Sequence, residues 1–222
     1  MKLSEIEKEI EQGRFSDELF CEFQAALKRI PKSMRCQHCY TSAYHLKDKR
    51  PYDGIRLIKF GLDNYDSDWV DKMRANLNLG GIYEAHADYT SAKDAYKNAL
   101  NAVPEDKKND YVSDLSMQIL RTELHLNNFE YTEYIHELYR CVIKADPFTA
   151  SSRSFIFYRA ITELIIAKKK NNKTAQKASY NTAVIALDGE KTTGMDILFR
   201  RHKYKDDARA TKHAIAFLKS NK

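Results

Sequence analysis

The sequence predicts an all-α chain of about twelve helices arranged as six successive antiparallel hairpins. Apolar residues recur at three- and four-residue steps along nearly the whole chain, and no stretch alternates convincingly as a strand would. Only 7 Gly and 4 Pro occur in 222 residues, too few for an all-β chain that needs a turn signal roughly every 8 to 12 residues. The segments between helical patterns are short, which forces consecutive helices to lie antiparallel. Hydrophobic residues at 43% and charged residues at 31% supply enough apolar surface for packed domains and exclude a disordered chain.

Each element has a local reason. Leu3, Ile6 and Ile10 make one helical face, and Gly13 follows as a stop. Ser16 and Asp17 open a second helix carrying Leu19, Phe20, Phe23, Leu27 and Ile30, which Pro31 closes. Residues 33 to about 47 read as a third helix, and Pro51 starts a fourth bearing Ile55, Ile58 and Leu62. Asp68 and Asp88 begin the next two, the second ending near Pro104. Residues 106–127 and 130–145 form a further pair, ended by Asp146-Pro147. Residues 149–170 and 173–187 form another, joined at the KKKNNK stretch. A break from Asp188-Gly189 to Gly194 then precedes two short helices, about 195–203 and 205–219.

Residues 73–106 carry more than periodicity. Leu79, Gly80 and Tyr83 fall on the first helix, Ala92, Tyr96 and Ala99 on the second, and Pro104 ends the unit. Small Gly80 and Ala92 let the two helices cross closely, while Tyr83 and Tyr96 fill the space beside the crossing. This 34-residue unit resembles the tetratricopeptide repeat at seven of its eight usual signature positions, with Asn76 in place of a bulky residue. Weaker copies flank it. Ser42, Gly54, Ile58 and Gly61 fit the small-small-bulky-small pattern of one copy, and Ile135, Tyr139 and Val142 take the second-helix offsets of another. In residues 151–187 only Ala178 matches clearly.

The resemblance implies a right-handed α-solenoid whose concave face holds an extended or helical peptide. It implies one domain over 1–222, with residues 1–32 as an N-terminal hairpin cap, 33–147 as TPR-like repeats and 148–222 as a basic C-terminal cap. The family's groove positions fall on Arg74, Leu77, Gly81, Glu84 and Ala85. The subgroup that clamps chaperone C-terminal carboxylates uses Lys and Asn where this chain has Leu77 and Gly81, so that partner is not expected.

Charge is divided unevenly. Residues 148–222 hold 16 Lys/Arg against 6 Asp/Glu, whereas residues 1–147 hold 21 against 25. A basic third can attract nucleic acid or an acidic protein, or can be a solvated face. Lys168, Lys169, Lys170 and Lys173 mark a hairpin tip, and Arg200, Arg201 and Lys203 lie near the C-terminus with Tyr180, Phe199 and Tyr204 interleaved. No run approaches the ~18 apolar residues of a membrane span. The charged N-terminus lacks a signal-peptide core, and four cysteines make no disulfide framework, so a cytoplasmic chain is expected.

No residue set spells out catalysis, and no catalytic, metal or cofactor site is assigned. Cys36-Gln-His-Cys39 has metal or redox spacing, but no second pair completes a tetrahedral site, and two packed thiols on one helix face are the alternative. His136-Glu137 opens like a zincin helix, yet Arg140 stands where the second His belongs. Phe129, Tyr131, Tyr134 and Tyr139 read mostly as a core stripe, with Tyr131 or Tyr134 free to face a groove. The expected function is therefore a non-enzymatic partner-binding scaffold or regulator, inhibition of a toxin or enzyme being one version. Nucleic-acid binding by the basic third is the alternative.

Overall fold

The computed structural model describes residues 1–145, 153–192 and 214–220; among them every regular element is helical. The chain divides into two compact units, residues 1–105 and 106–222.

The first unit contains α1 (Leu3–Glu11), α2 (Asp17–Leu27), α3 (Lys32–Leu46), α4 (Pro51–Asn64), α5 (Trp69–Ala85) and α6 (Tyr89–Ala102). Their ends follow the sequence punctuation. Gly13 stops α1 at φ +78°, the left-handed region that suits glycine, and its amide donates to the Ile10 carbonyl at 2.8 Å. Ser16 Oγ accepts from the Leu19 amide, Asp68 Oδ1 from Asp71 and Asp88 Oδ1 from Ser91, at 3.2, 2.9 and 3.1 Å. Ile6, Ile10, Phe23, Leu27, Leu46, Leu57 and Ile58 are fully buried in one core. Each large apolar side chain contributes about 1.5–3 kcal/mol there.

Small residues set how closely the helices approach. A Cβ on Gly61 would lie 2.7 Å from Cys39 Cβ, so α3 and α4 cross on that pair. A Cβ on Gly54 would sit 3.0 Å from the Ala43 carbonyl and 3.1 Å from Ile82 of α5. Gly80 packs face-on against the Tyr96 ring, so the tyrosine occupies the α5–α6 crossing itself rather than the space beside it. Tyr96 is buried, and its hydroxyl donates to Glu84 at 2.7 Å. Asn76 Nδ2 donates to the Lys72 carbonyl at 2.8 Å.

α1 packs on α3, and α3 packs on both α4 and α5. The residues of α3 that bond to α1 and to α5 are His38 and Tyr40. At 100° per residue these point about 200° apart, so α1 and α5 flank α3 on opposite sides. Gln37, Thr41 and Tyr44 of α3, which point between the flanks, are exposed.

The second unit opens with a 3-10 turn at Glu105–Lys107, its first residue lying at the boundary, then α7 (Lys108–Leu126), α8 (Thr132–Ala145), α9 (Arg153–Lys169) and α10 (Lys173–Thr192). Residues 214–219 form a further helix, α11. Ile135, Tyr139 and Val142 are fully buried, and the Tyr139 and Phe155 rings meet at 5.0 Å between centroids. Glu123, fully buried, accepts from the Tyr131 amide at 2.7 Å and from Thr132 Oγ1 at 3.1 Å, fastening the start of α8 to α7.

Two expectations are corrected. α10 does not stop at Leu187 but continues through Asp188 and Gly189 to Thr192; a helical glycine costs about 1 kcal/mol relative to alanine, which a long helix can absorb. Ala178 is exposed, and the buried small residue at that turn of α10 is Ser179, one position on. The helix expected at 195–203, and most of that at 205–219, fall outside the described residues.

Candidate functional site

The positions expected to line a groove lie on one strip of α5. Arg74 is exposed, and Leu77, Gly81, Glu84 and Ala85 are half-buried, whereas Met73, Ala75, Leu79, Gly80 and Ile82 on the same helix are buried. A Cβ on Gly81 would meet nothing within 4 Å, so open space stands over that residue. Arg74 reaches toward α3, where its charge acts on the Tyr40 hydroxyl. That hydroxyl donates to Asp71 Oδ1 at 3.1 Å, and Asn78 Nδ2 donates to the Tyr40 carbonyl at 3.2 Å. Burial raises both Asp71 and Tyr40 from their ordinary values. These bonds fix α5 on α3 and leave Tyr44, 56% exposed, on the intervening surface. Lys47 Nζ lies 5.8 Å from the centre of its ring. Arg74, Leu77 and Gly81 thus face the solvent side of the α3–α5 pair, while Glu84 is held by Tyr96.

On the other flank of α3 is a cleft that sequence reasoning missed. Glu7 and Glu11 of α1 and Met34, Gln37, His38, Thr41, Ser42 and His45 of α3 enclose about 270 Å³. His38 Nδ1 is 2.6 Å from Glu7 Oε1, and His45 Nε2 is 3.9 Å from Glu11 Oε1. Glu7 and His38 stand 31 residues apart, so no linear motif joins them. Only the spacing of Glu7 with Glu11, and of His38 with Thr41 and His45, places each set on one helix face.

Cys36 and Cys39 are buried, Cys39 against Gly61, and burial pushes both thiols up; Cys21 and Cys141 are exposed. The CxxC pair therefore serves the α3–α4 crossing. Among the described residues no three His, Cys, Asp or Glu gather closely enough to hold a metal ion. His136 faces Glu163 at 3.8 Å, and Arg140 pairs with Glu137 at 3.1 Å. Tyr131 is half-buried and Tyr134 exposed, their rings edge-to-face at 6.2 Å.

Lys168, Lys169, Lys170 and Lys173 are all exposed at the α9–α10 tip. Two of them have partners: Lys169 Nζ donates to the Phe129 carbonyl at 2.5 Å, and Lys168 Nζ lies 5.8 Å from the Phe217 ring centre. Tyr180 is half-buried. Arg200, Arg201 and Lys203, with Phe199 and Tyr204, fall outside the described residues. No described helix is long and apolar enough to cross a membrane. No family model, curated protein or solved structure matches this chain.

Proposed function

We propose that the chain is a non-enzymatic, cytoplasmic, TPR-like α-solenoid that binds a segment of a partner protein along the face of α1, α3 and α5. The observation that carries this reading is a set of positions left outside the core, half-buried Leu77 and Gly81 beside exposed Arg74 on α5 and exposed Tyr44 on α3, with open space over Gly81. An uncovered strip of apolar and aromatic surface rimmed by polar groups suits peptide recognition. Binding would act by occupying the partner, and inhibition of an enzyme or toxin is one form of that action. Selection of a displayed peptide library tests it. Peptides enriched on the wild-type chain should be lost on Leu77→Arg, with helicity retained by circular dichroism. Equal recovery on both chains rejects the groove.

The exposed Lys168–Lys173 tip favours a second reading, nucleic-acid binding. With two of the four lysines held by Phe129 and Phe217, the tip has fewer cations available for phosphate than its sequence advertises. Filter binding across a salt series tests it, since phosphate contacts make affinity fall steeply with salt. Absence of binding at low salt rejects it.

A further inference from the structure

In the second unit α8 and α10 both pack on α9, and an open groove runs along the α9–α10 pair. Glu163, Ile166 and Lys170 border it from α9 and the turn that follows, Ala175 and Ala178 from α10, and together they enclose about 280 Å³. At 1.5 Å per residue, the span from Glu163 to Lys170 makes the groove about 10 Å long. Its volume lies just below the roughly 300–1,000 Å³ of sites for drug-sized molecules, a size that suits one or two side chains of a peptide. The groove exists because Ala175 and Ala178 end at Cβ. Ala178 is exposed, and Ala175 and Ile166 are half-buried, so its floor is apolar surface open to solvent.

The two ends differ in charge. At the inner end Glu163 is already paired, with Arg159 Nε 3.3 Å and His136 Nε2 3.8 Å from its Oε1. At the tip end Lys170 lines the groove and Lys173 is exposed three residues on. Neither lysine forms an ion pair with any described residue. Lys168 and Lys169, by contrast, are engaged by Phe217 and Phe129. An apolar floor thus ends in uncompensated positive charge, within a third of the chain that holds 16 Lys/Arg against 6 Asp/Glu. An aliphatic side chain complements the floor, and a carboxylate complements that end.

Other occupants fit less well. Among the described residues no three His, Cys, Asp or Glu gather to hold a metal ion. A nucleic acid needs rings on which bases stack and several free cations along its backbone. No described Phe, Tyr or Trp lines the groove, and two of the four tip lysines are engaged. A basic segment would meet Lys170 without a free carboxylate to offset it, because Arg159 holds Glu163.

We propose that the α9–α10 groove docks a short acidic segment of a partner protein, with one aliphatic side chain on Ile166, Ala175 and Ala178 and a neighbouring Asp or Glu carboxylate on Lys170. This surface belongs to the second unit and does not rest on the α5 reading. Recognition is joint, since a lysine alone accepts any anion and the alanines alone accept any apolar group. Because the free charge lies at one end only, the segment binds in one direction, its carboxylate toward the hairpin tip.

The test is an NMR titration of the full chain at low salt and near-neutral pH, read at the Ile166 methyl and the Ala175 amide. The probe is the capped hexapeptide Glu-Leu-Glu-Glu-Leu-Glu, which should shift both signals. The counterpart with Ser for Leu should bind about tenfold more weakly, and that with Gln for Glu at least about fivefold more weakly. Ala178→Gln fills the groove and should weaken binding at least about tenfold. Lys170→Gln should weaken it about twofold to fivefold, the weight of one exposed charge pair. Both positions are exposed, so helicity by circular dichroism should be unchanged in either variant.

No shift with the acidic peptide, equal binding of either counterpart, or full binding by Ala178→Gln overturns the proposal. Shifts with an oligothymidylate but not with the peptide assign the groove to nucleic acid and also overturn it. Shifts with octanoate alone assign it to a free fatty acid, with the same result. Leu77→Arg should leave the hexapeptide response unchanged, so failure of the α5 strip and failure of this groove are read separately.

Discussion

Gly80 and Gly81 are adjacent on α5, yet alanine should have opposite effects at the two. A Cβ on Gly80 would lie against three atoms of the Tyr96 ring, closer than real Cβ atoms approach other groups. The ring has little room to yield, because Tyr96 is buried and its hydroxyl is tied to Glu84. Overpacking of this kind costs about 1–3 kcal/mol. Replacing a helical glycine by alanine returns about 1 kcal/mol, so Gly80→Ala should range from neutral to about 2 kcal/mol destabilising. At Gly81 the added methyl meets nothing, and the helix-propensity gain of about 1 kcal/mol stands alone.

The two variants should therefore differ by about 1–3 kcal/mol, with Gly81→Ala the more stable. Urea denaturation followed by Trp69 measures the difference. It is the only tryptophan, and it begins α5, so its fluorescence reports the first unit. With a slope of about 1–3 kcal/mol per molar urea, a 2 kcal/mol gap separates the midpoints by about 1 M. Coincident midpoints at unchanged slope would refute the face-on packing of Tyr96 on Gly80. Tyr96→Leu should relieve the cost of Gly80→Ala in a double-mutant cycle, since the two positions are in contact.

Other consequences are equally measurable. Native protein should titrate two thiols rapidly with a disulfide reagent, Cys21 and Cys141, and all four after denaturation; four fast thiols would contradict the buried Cys36 and Cys39. Because burial raises those two thiols above their ordinary value, the unfolded chain ionises them first. The stability they contribute is present at pH 7 and declines as pH rises past about 8.5, and a Cys36→Ala/Cys39→Ala variant should show a flatter alkaline profile. Glu123→Ala should destabilise the second unit by about 1–3 kcal/mol in thermal unfolding, because it leaves the Tyr131 amide and the Thr132 hydroxyl without their buried acceptor; a change within about 0.5 kcal/mol would dismiss that anchor.

Helix positions were legible because capping and periodicity act locally. Ser16, Asp68, Asp88, Pro51 and Gly13 all mark observed ends. The small residues were legible too, since close crossings require them wherever they fall. Gly189 misled because glycine is also tolerated inside a helix when its neighbours have good propensity, so glycine alone does not fix a stop. Ala178 misled by one position, enough to rotate a helical residue by 100° from buried to exposed. The candidate strip on α5 came from family offsets within one continuous stretch. The α1–α3 cleft came from no stretch at all.

That contrast has a physical origin. A helix crossing constrains the residues that form it, so Gly61 and Cys39, or Gly80 and Tyr96, carry the record of their contact in their sizes. A cleft at the solvent edge imposes no such volume limit. Glu7 and Glu11 read in sequence as ordinary helix-surface acids, and His38 sits inside a CxxC stretch that draws attention to its neighbours. Only when α1 lies on α3 do these side chains face one another, at 2.6 Å for Glu7 and His38. The core and the α1–α3 cleft of this unit therefore share α3 but not a code. Cys36, Cys39 and Ala43 on one side of the helix are fixed by packing, while Thr41 and His45 on another are exposed. Chemistry on that second side can therefore change without altering the fold, because no crossing depends on the size of those side chains.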